Sequence, residues 1–261
     1  DLRAIFGKDD RVAAYQWRTR DALSTVSDHP KAGAAVTYSG ALMENVESLG
    51  NAGELGYTTS WKDPIDEANN WTTSSGAPKL DLIGISHHHG LLGLLPEEIV
   101  EMEVRLHRAK VADEFGADAV SNGFFPPEMA FSERLIPSLA EAGYEWVIVS
   151  GSHIARACPD FPLELGTQGV NCDPPNKADQ INPNGEEFIT EQISRGCSPT
   201  AANPLSYQPA YAKYVDPETG EESKIIVVPA DMVWSWRDGY QSISADFLND
   251  LEERNDPGQP S

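Results

Sequence analysis

Cysteine is scarce in this 261-residue chain, limited to Cys158, Cys172 and Cys197. No two of them form a CxxC pair, which argues against a zinc ribbon or a dithiol redox motif. All three fall in one stretch rich in Pro, Gly and Asn, where one disulfide could pin a long loop if the chain is secreted. Long hydrophobic runs are missing too. No stretch approaches about 18 apolar residues without a charge, so a membrane-spanning helix is excluded. Positive charge is in short supply: 19 Lys and Arg face 41 Asp and Glu, a formal net charge of −22. Such a surface repels phosphate backbones, anionic lipid and polyanionic sugars, which disfavours nucleic acid as a ligand and leaves neutral substrates open. The acidity as a whole reads as solubility, with local cation binding as the alternative. There is no Gly-rich phosphate loop, no GxSxG elbow, no HExxH and no internal repeat. No Met opens the chain and no signal peptide stands at Asp1, so the numbered chain reads as a processed or trimmed product. Together with the cysteines and the acidity, this suggests a secreted or extracytoplasmic protein.

What is present suffices for a core. Hydrophobic residues make up 40% of the chain, and six Trp, eight Tyr and eight Phe exclude disorder along its whole length. Residues 9–27 read as one helix, and Ala34–Tyr38 as a buried strand broken by Ser39-Gly40. Ala41–Leu49 carries Leu42, Val46 and Leu49 at helical spacing. Residues 50–79 read as loop with short helical pieces. Leu80–Ser86 is a second strand. Pro96-Glu97-Glu98 opens a strong helix that runs from about 97 to 115 and ends near Gly116. Ala119–Ser121 reads as a short strand and Gly123–Pro127 as a tight loop. Ser132 is expected to cap a helix ending at Gly143, ahead of a strand at Trp146–Ser150. A long excursion follows over 151–222, then a β run at Lys224–Pro229. Alternating strands and helices, with strands apolar throughout, predict an α/β fold with a parallel sheet or βα barrel. The chain reads as one domain over 1–255 with a loop insertion at about 151–222 and a flexible tail at 256–261.

In such folds reactive groups sit just past the C-terminal ends of the strands. Glu128 stands there, in GFFPPEMAF (123–131). Two prolines stiffen the backbone before it, and Phe124, Phe125 and Phe131 flank it. A carboxylate fixed among aromatic rings suits sugar chemistry, since rings stack on the sugar's apolar faces while the carboxylate meets an oxocarbenium-like centre. The alternative is a carboxylate serving the dipole of the next helix. His87-His88-His89 follows the strand DLIGIS. On an extended stretch His87 and His89 share a face and could hold a metal; otherwise one histidine bonds a substrate hydroxyl. VVPADMVWSWRDGY (227–240) leads from a strand into Asp231, Trp234, Trp236, Asp238 and Tyr240. It reads as a carbohydrate surface or as core tryptophans with capping aspartates.

These motifs, in this order, resemble glycoside hydrolase family 57, the retaining α-glucan-active family. SHHHGLLGLLPEE (86–98) resembles its second motif, with His89 at the histidine position, and GFFPPEMAF resembles its third, with Glu128 at the nucleophile. VTYSGALMENVESLG (36–50) and SERLIPSLAEAGYEWVIVS (132–150) resemble the strand and helix units around them. The likeness covers roughly 35–150 well and 205–240 loosely. The family's opening His-Gln-Pro motif has no counterpart here, and neither does its general-acid motif. The resemblance implies an incomplete or distorted (β/α) barrel of the glycoside hydrolase/deacetylase type, lacking first and last strands. It implies a retaining mechanism with Glu128 as nucleophile and Asp231 as candidate acid/base. His88 and His89 would hold sugar hydroxyls, while Phe125, Trp234, Trp236 and Asp238 would line the cleft. No cofactor and no metal is required, although the acidic loop 158–197 could hold a structural Ca²⁺. The expected partner is an oligo- or polysaccharide. Two rivals stand beside this: a metal-dependent polysaccharide deacetylase using His87 and His89, and a carbohydrate-binding relative without the acid.

Overall fold

The chain is described from a computed structural model, which describes residues 2–151, Ile154 and 208–230. The N-terminal helical region is three short helices, α1 (Leu2–Phe6), α2 (Asp9–Gln16) and α3 (Arg18–Ser24), rather than the single helix expected over 9–27. Trp17 interrupts it with φ −132°. The end of α2 is held by Gln16, a buried residue whose Nε2 donates to the Gly56 carbonyl and whose Oε1 accepts from the Thr58 amide at 3.1 Å. The chain then turns so that Leu23 of α3 reaches the core.

Strand β1 (Ala34–Val36) leads into α4 (Gly40–Ala52). The Ser39 hydroxyl caps α4 by accepting from the Leu42 amide at 3.3 Å, and the helix stops at Gly53 with φ 63°. Its buried face is Gly40, Met43, Val46 and Gly50, with Leu42 and Leu49 only partly covered. The polar stretch before the second strand holds α5 (Asp63–Asn69), anchored by Ile65 and Ala68. Strand β2 (Leu80–Leu82) pairs with β1 in parallel, Ala34 opposite Leu80 and Val36 opposite Leu82.

Helix α6 (Glu97–Phe115) has the expected bounds, with Glu97 and Glu98 in its first turn and Gly116 at φ 88° ending it. Its inward stripe alternates aliphatic and polar positions: Val100, Glu103, Val104, His107, Val111 and Glu114 are all buried. Glu114 meets Lys62 and Lys110, and Lys110 also meets Glu47. Its carboxyl is held below the usual carboxylate range: burial pushes it up, but the hydrogen bonds from the two lysines outweigh that.

The strand expected at Ala119–Ser121 is displaced. Ala117–Ala119 forms a single 3₁₀ turn after Gly116, and β3 is Gly123–Phe124, inside the segment expected as loop. The Ser121 hydroxyl accepts the Gly123 amide at 2.9 Å and occupies the chain just before it. Ser132 gives no side-chain cap. A 3₁₀ turn at Glu133–Leu135 leads instead into α7 (Ile136–Glu141), which has Pro at its start. Strand β4 (Trp146–Ser150) has the expected bounds and pairs with β3 in parallel, Gly123 opposite Trp146. A parallel bridge between Gly84 and Phe124 ties the continuation of β2 to β3.

The excursion expected over 151–222 contains β5 (Ala210–Val215), followed by β6 (Glu222–Ala230). The turn between them is closed by the Asp216 amide donating to the Glu221 carbonyl at 2.9 Å. The strands order as β1-β2 and β3-β4-β6-β5, and among the described residues they do not close into a barrel. The chain divides into two compact units, Asp1–Val147 with Ala212–Ile225, and Ile148–Tyr211 with Ile226–Ser261. The first holds the main core, in which Met43, Val46, Tyr57, Trp61, Ile65 and Leu80 are almost fully buried. In the second, the described residues are chiefly the C-terminal portions of β4 and β6.

Candidate functional site

Because β1, β2 and β3 are parallel neighbours, the segments that leave them emerge at one end of the sheet. Tyr38-Ser39-Gly40 follows β1, the histidine run follows β2, and Phe125–Met129 follows β3. The sequence expectation of a strand-end cluster holds for these three segments.

The histidine run is a turn, not an extended stretch. The His89 amide donates back to the Ser86 carbonyl at 3.1 Å, and His89 has φ 60°. His87 and His89 therefore do not share a face as expected for a metal pair. His87 is buried, with its Nε2 3.2 Å from Glu44 Oε1 on α4. Its ring lies against the backbone of Gly40, where an added Cβ would sit 1.9 Å from Nδ1, so only glycine fits at the start of α4. The Ala41 amide donates to the His87 carbonyl at 3.0 Å.

His88 points the other way, and its side chain is 58% exposed. One buried carboxylate, Glu103 of α6, holds it at two points: Oε2 accepts the His88 amide at 2.8 Å, and Oε1 lies 2.6 Å from the ring Nδ1. The His87 and His88 rings meet edge to face, with centroids 4.6 Å apart. His107, one turn along α6 from Glu103, is buried and donates from Nε2 to the Tyr38 carbonyl at 2.9 Å. Burial pushes its pKa down to about 4, with the hydrogen bond to Tyr38 opposing and His87 and Arg108 adding to the fall. Tyr38 is buried as well, which raises its phenol; its hydroxyl lies 3.2 Å from that of Thr19.

Glu128 is fixed by backbone rather than by partners. It has φ 58° and ψ 20°, and Met129 follows at φ 53°, two consecutive non-glycine residues in the left-handed region. The loop is closed by the Met129 amide to the Pro126 carbonyl at 2.8 Å and the Ala130 amide to the Pro127 carbonyl at 3.0 Å. The Glu128 side chain is exposed, and no hydrogen bond to it occurs among the described residues. Phe125 is half-buried and its amide donates to the Gly84 carbonyl at 2.7 Å. Phe124 is fully buried and packs edge-on against Tyr144 at 5.0 Å, so it belongs to the core rather than to a stacking surface.

Asp231, Trp234, Trp236 and Asp238 lie outside the described residues, as do the three cysteines and the whole loop 158–197 expected as a calcium site. Among the described residues no three His, Cys, Asp or Glu side chains converge as metal ligands. Sequence reasoning missed Glu44, Glu103 and His107. The available signal was a Glu and a His at i, i+4 on the same helical stripe as Val100 and Val104, where aliphatic residues are the norm.

The model of glycosyl hydrolase family 57 matches residues 14–199. An alpha-amylase of Niallia circulans is 32% identical over 97% of this chain, which spans 20% of that relative's length. Among solved structures, the 4-alpha-glucanotransferase of Thermococcus litoralis shares the fold with a TM-score of 0.55 at 16% identity, over 96% of this chain and 29% of that one. The fold is thus of the glycoside hydrolase (β/α)-barrel type.

Proposed function

This chain belongs to glycosyl hydrolase family 57, and we propose that it carries the nucleophile half of a retaining active site for α-glucans, with Glu128 as the attacking carboxylate. The observation that carries this reading is the Glu128 loop. An exposed carboxylate in a left-handed conformation, on a proline-stiffened turn past a parallel strand, is strained geometry that no packing among the described residues accounts for. The names of the relatives, an amylase and a glucanotransferase, supply the substrate class.

Glu128 attacks the anomeric carbon, the glycosidic C–O bond breaks, and a glycosyl-enzyme forms. A second carboxylic acid protonates the leaving oxygen and then takes a proton from water or an acceptor sugar hydroxyl as that oxygen attacks the anomeric carbon, which breaks the bond to Glu128 and releases it as a carboxylate. Asp231 is the candidate for that acid, and the two carboxyl groups are expected about 5–5.5 Å apart. Phe125, Trp234 and Trp236 offer ring faces to the sugar; His88, His89 and Asp238 bond its hydroxyls.

The test uses the full-length gene product with maltooligosaccharides and a fluorinated glucosyl fluoride that traps the covalent intermediate. The expected label is one glycosyl mass on the peptide spanning 123–131, absent in Glu128→Gln, whose turnover falls on the order of 10⁴-fold while it stays folded. A label on another carboxylate, or an active Glu128→Gln, would overturn the assignment. Sugar binding without turnover in the wild type would overturn the enzyme reading.

A further inference from the structure

The contacts of Glu103 are more than a structural tie. A carboxylate buried under a half-exposed imidazole holds that ring at Nδ1 and holds its backbone amide as well. The amide can only donate, so it takes Oε2. An ionised carboxylate can only accept, so Nδ1 must carry a proton towards Oε1. In the neutral ring the remaining nitrogen, Nε2, then carries a lone pair, on a side chain that is more than half exposed. Rotating the ring away breaks its bond to Glu103 Oε1, and the backbone that carries it is held by the amide bond to Oε2, by the His89 amide to Ser86 and by the Ser86 hydroxyl to the Gly90 carbonyl at 3.1 Å.

We propose that Glu103 is a positioning residue that fixes the tautomer of His88, so that the ring meets its substrate as a hydrogen-bond acceptor for a sugar hydroxyl. The proposal rests on the reading of these strand ends as a sugar site. It makes the site selective for a hydroxyl at one position: a deoxy sugar there would leave Nε2 without a donor.

Glu103→Gln is a sharp test because its outcome is forced. The glutamine oxygen must face the His88 amide, since that group cannot accept. The glutamine NH₂ must then face Nδ1, which has to become the acceptor, and the ring proton moves to Nε2. An isosteric change therefore reverses the polarity of the exposed nitrogen. The experiment is ¹⁵N NMR of histidine-labelled full-length protein, with maltooligosaccharide kinetics on the same samples. The wild type is expected to show His88 protonated at Nδ1 and Glu103→Gln to show it at Nε2. KM should rise at least tenfold while kcat changes little, because the contact is made equally in ground and transition states. A merely structural role for Glu103 would lower the active fraction, and hence kcat, and leave KM alone.

His88→Asn gives an independent arm. Its amide nitrogen can keep the Nδ1 bond to Glu103 but supplies nothing at the outer position, so KM should rise as in Glu103→Gln, and the double variant should be no worse than either single one. A wild-type ring protonated at Nε2 overturns the proposal. So does a tautomer switch with unchanged KM, or an unchanged KM in His88→Asn; the wild-type tautomer and His88→Asn still decide the matter if Glu103→Gln fails to fold. Trapping at Glu128 is read separately in each variant: a labelled Glu128 with unmoved KM sinks this proposal alone, whereas an unlabelled wild type sinks the family reading of the site.

Discussion

The loops after β2 and β3 stand side by side and are held in place by opposite means. After β2, side chains do the holding: Glu44 binds His87, Glu103 binds His88, and the buried His107 lies behind them. After β3, backbone does it: two prolines, a pair of left-handed residues and short local amide bonds, with no partner for the Glu128 carboxylate among the described residues. The attacking role proposed for Glu128 is better served by a stiff backbone than by hydrogen bonds that would compete for its lone pairs. A group that must present one chosen nitrogen needs a partner on the other. The two loops therefore differ in what can undo them.

The largest difference is expected in acid. His107 is neutral in the folded protein down to a pKa of about 4, whereas in the unfolded chain it protonates near 6.5. Between those values the unfolded state binds the extra proton, so stability falls as pH drops from about 6.5 to about 4, by on the order of 3 kcal/mol. Urea unfolding across that window should show the slope, and His107→Gln, which keeps a donor for the Tyr38 carbonyl, should flatten it. The second effect is steric. Gly40→Ala drives a methyl group into the His87 ring, and a loss of about 1–3 kcal/mol is expected by denaturant melting, with the histidine loop displaced and the Glu128 loop unmoved.

The third acts on the other loop and has the opposite sign. Glu128→Gly relieves a left-handed residue, so the variant should be about 0.5–1 kcal/mol more stable, after allowing for the entropy glycine adds to the unfolded chain. A thermal melt beside Glu128→Gln separates this relief from mere loss of charge. The smallest effect is the control. Arg105 lies two residues from Glu103 but pairs with Glu141 at the surface, both side chains more than half exposed; Arg105→Ala should change stability by less than about 0.5 kcal/mol.

How far the sequence reveals all this depends on where the signal lies. Helix α6 and strand β4 are readable to the residue, because Pro96, the two glutamates after it, Gly116 and the run Trp146–Ser150 are all local signals. Strand β3 is not, since a two-residue strand carries no periodicity and its identity comes from pairing with Trp146 and Val147. The placement of Glu128 and the histidines past strand ends is likewise readable. The backbone state of the histidine run is not: it turns because a carboxylate 15 residues away takes the His88 amide. His107 is further out of reach, its partner Tyr38 standing 69 residues back in the chain. A buried polar residue on an otherwise aliphatic stripe is visible in sequence, but its partner is not.

The single bridge between Gly84 and Phe124 has a consequence for the order in which the protein can assemble. It rests on the Gly84 amide to the Gly123 carbonyl at 2.8 Å and the Phe125 amide to the Gly84 carbonyl at 2.7 Å, and it closes a segment of about 40 residues. Until that closure the histidine and glutamate loops belong to separate strand and helix units and no shared site exists. Helix α6 and its neighbours can gain structure earlier, since their contacts are local. Amide hydrogen exchange at Gly84 and Phe125 therefore reports on the seam where the site opens, and its rate sets how often the two loops part company in the folded protein.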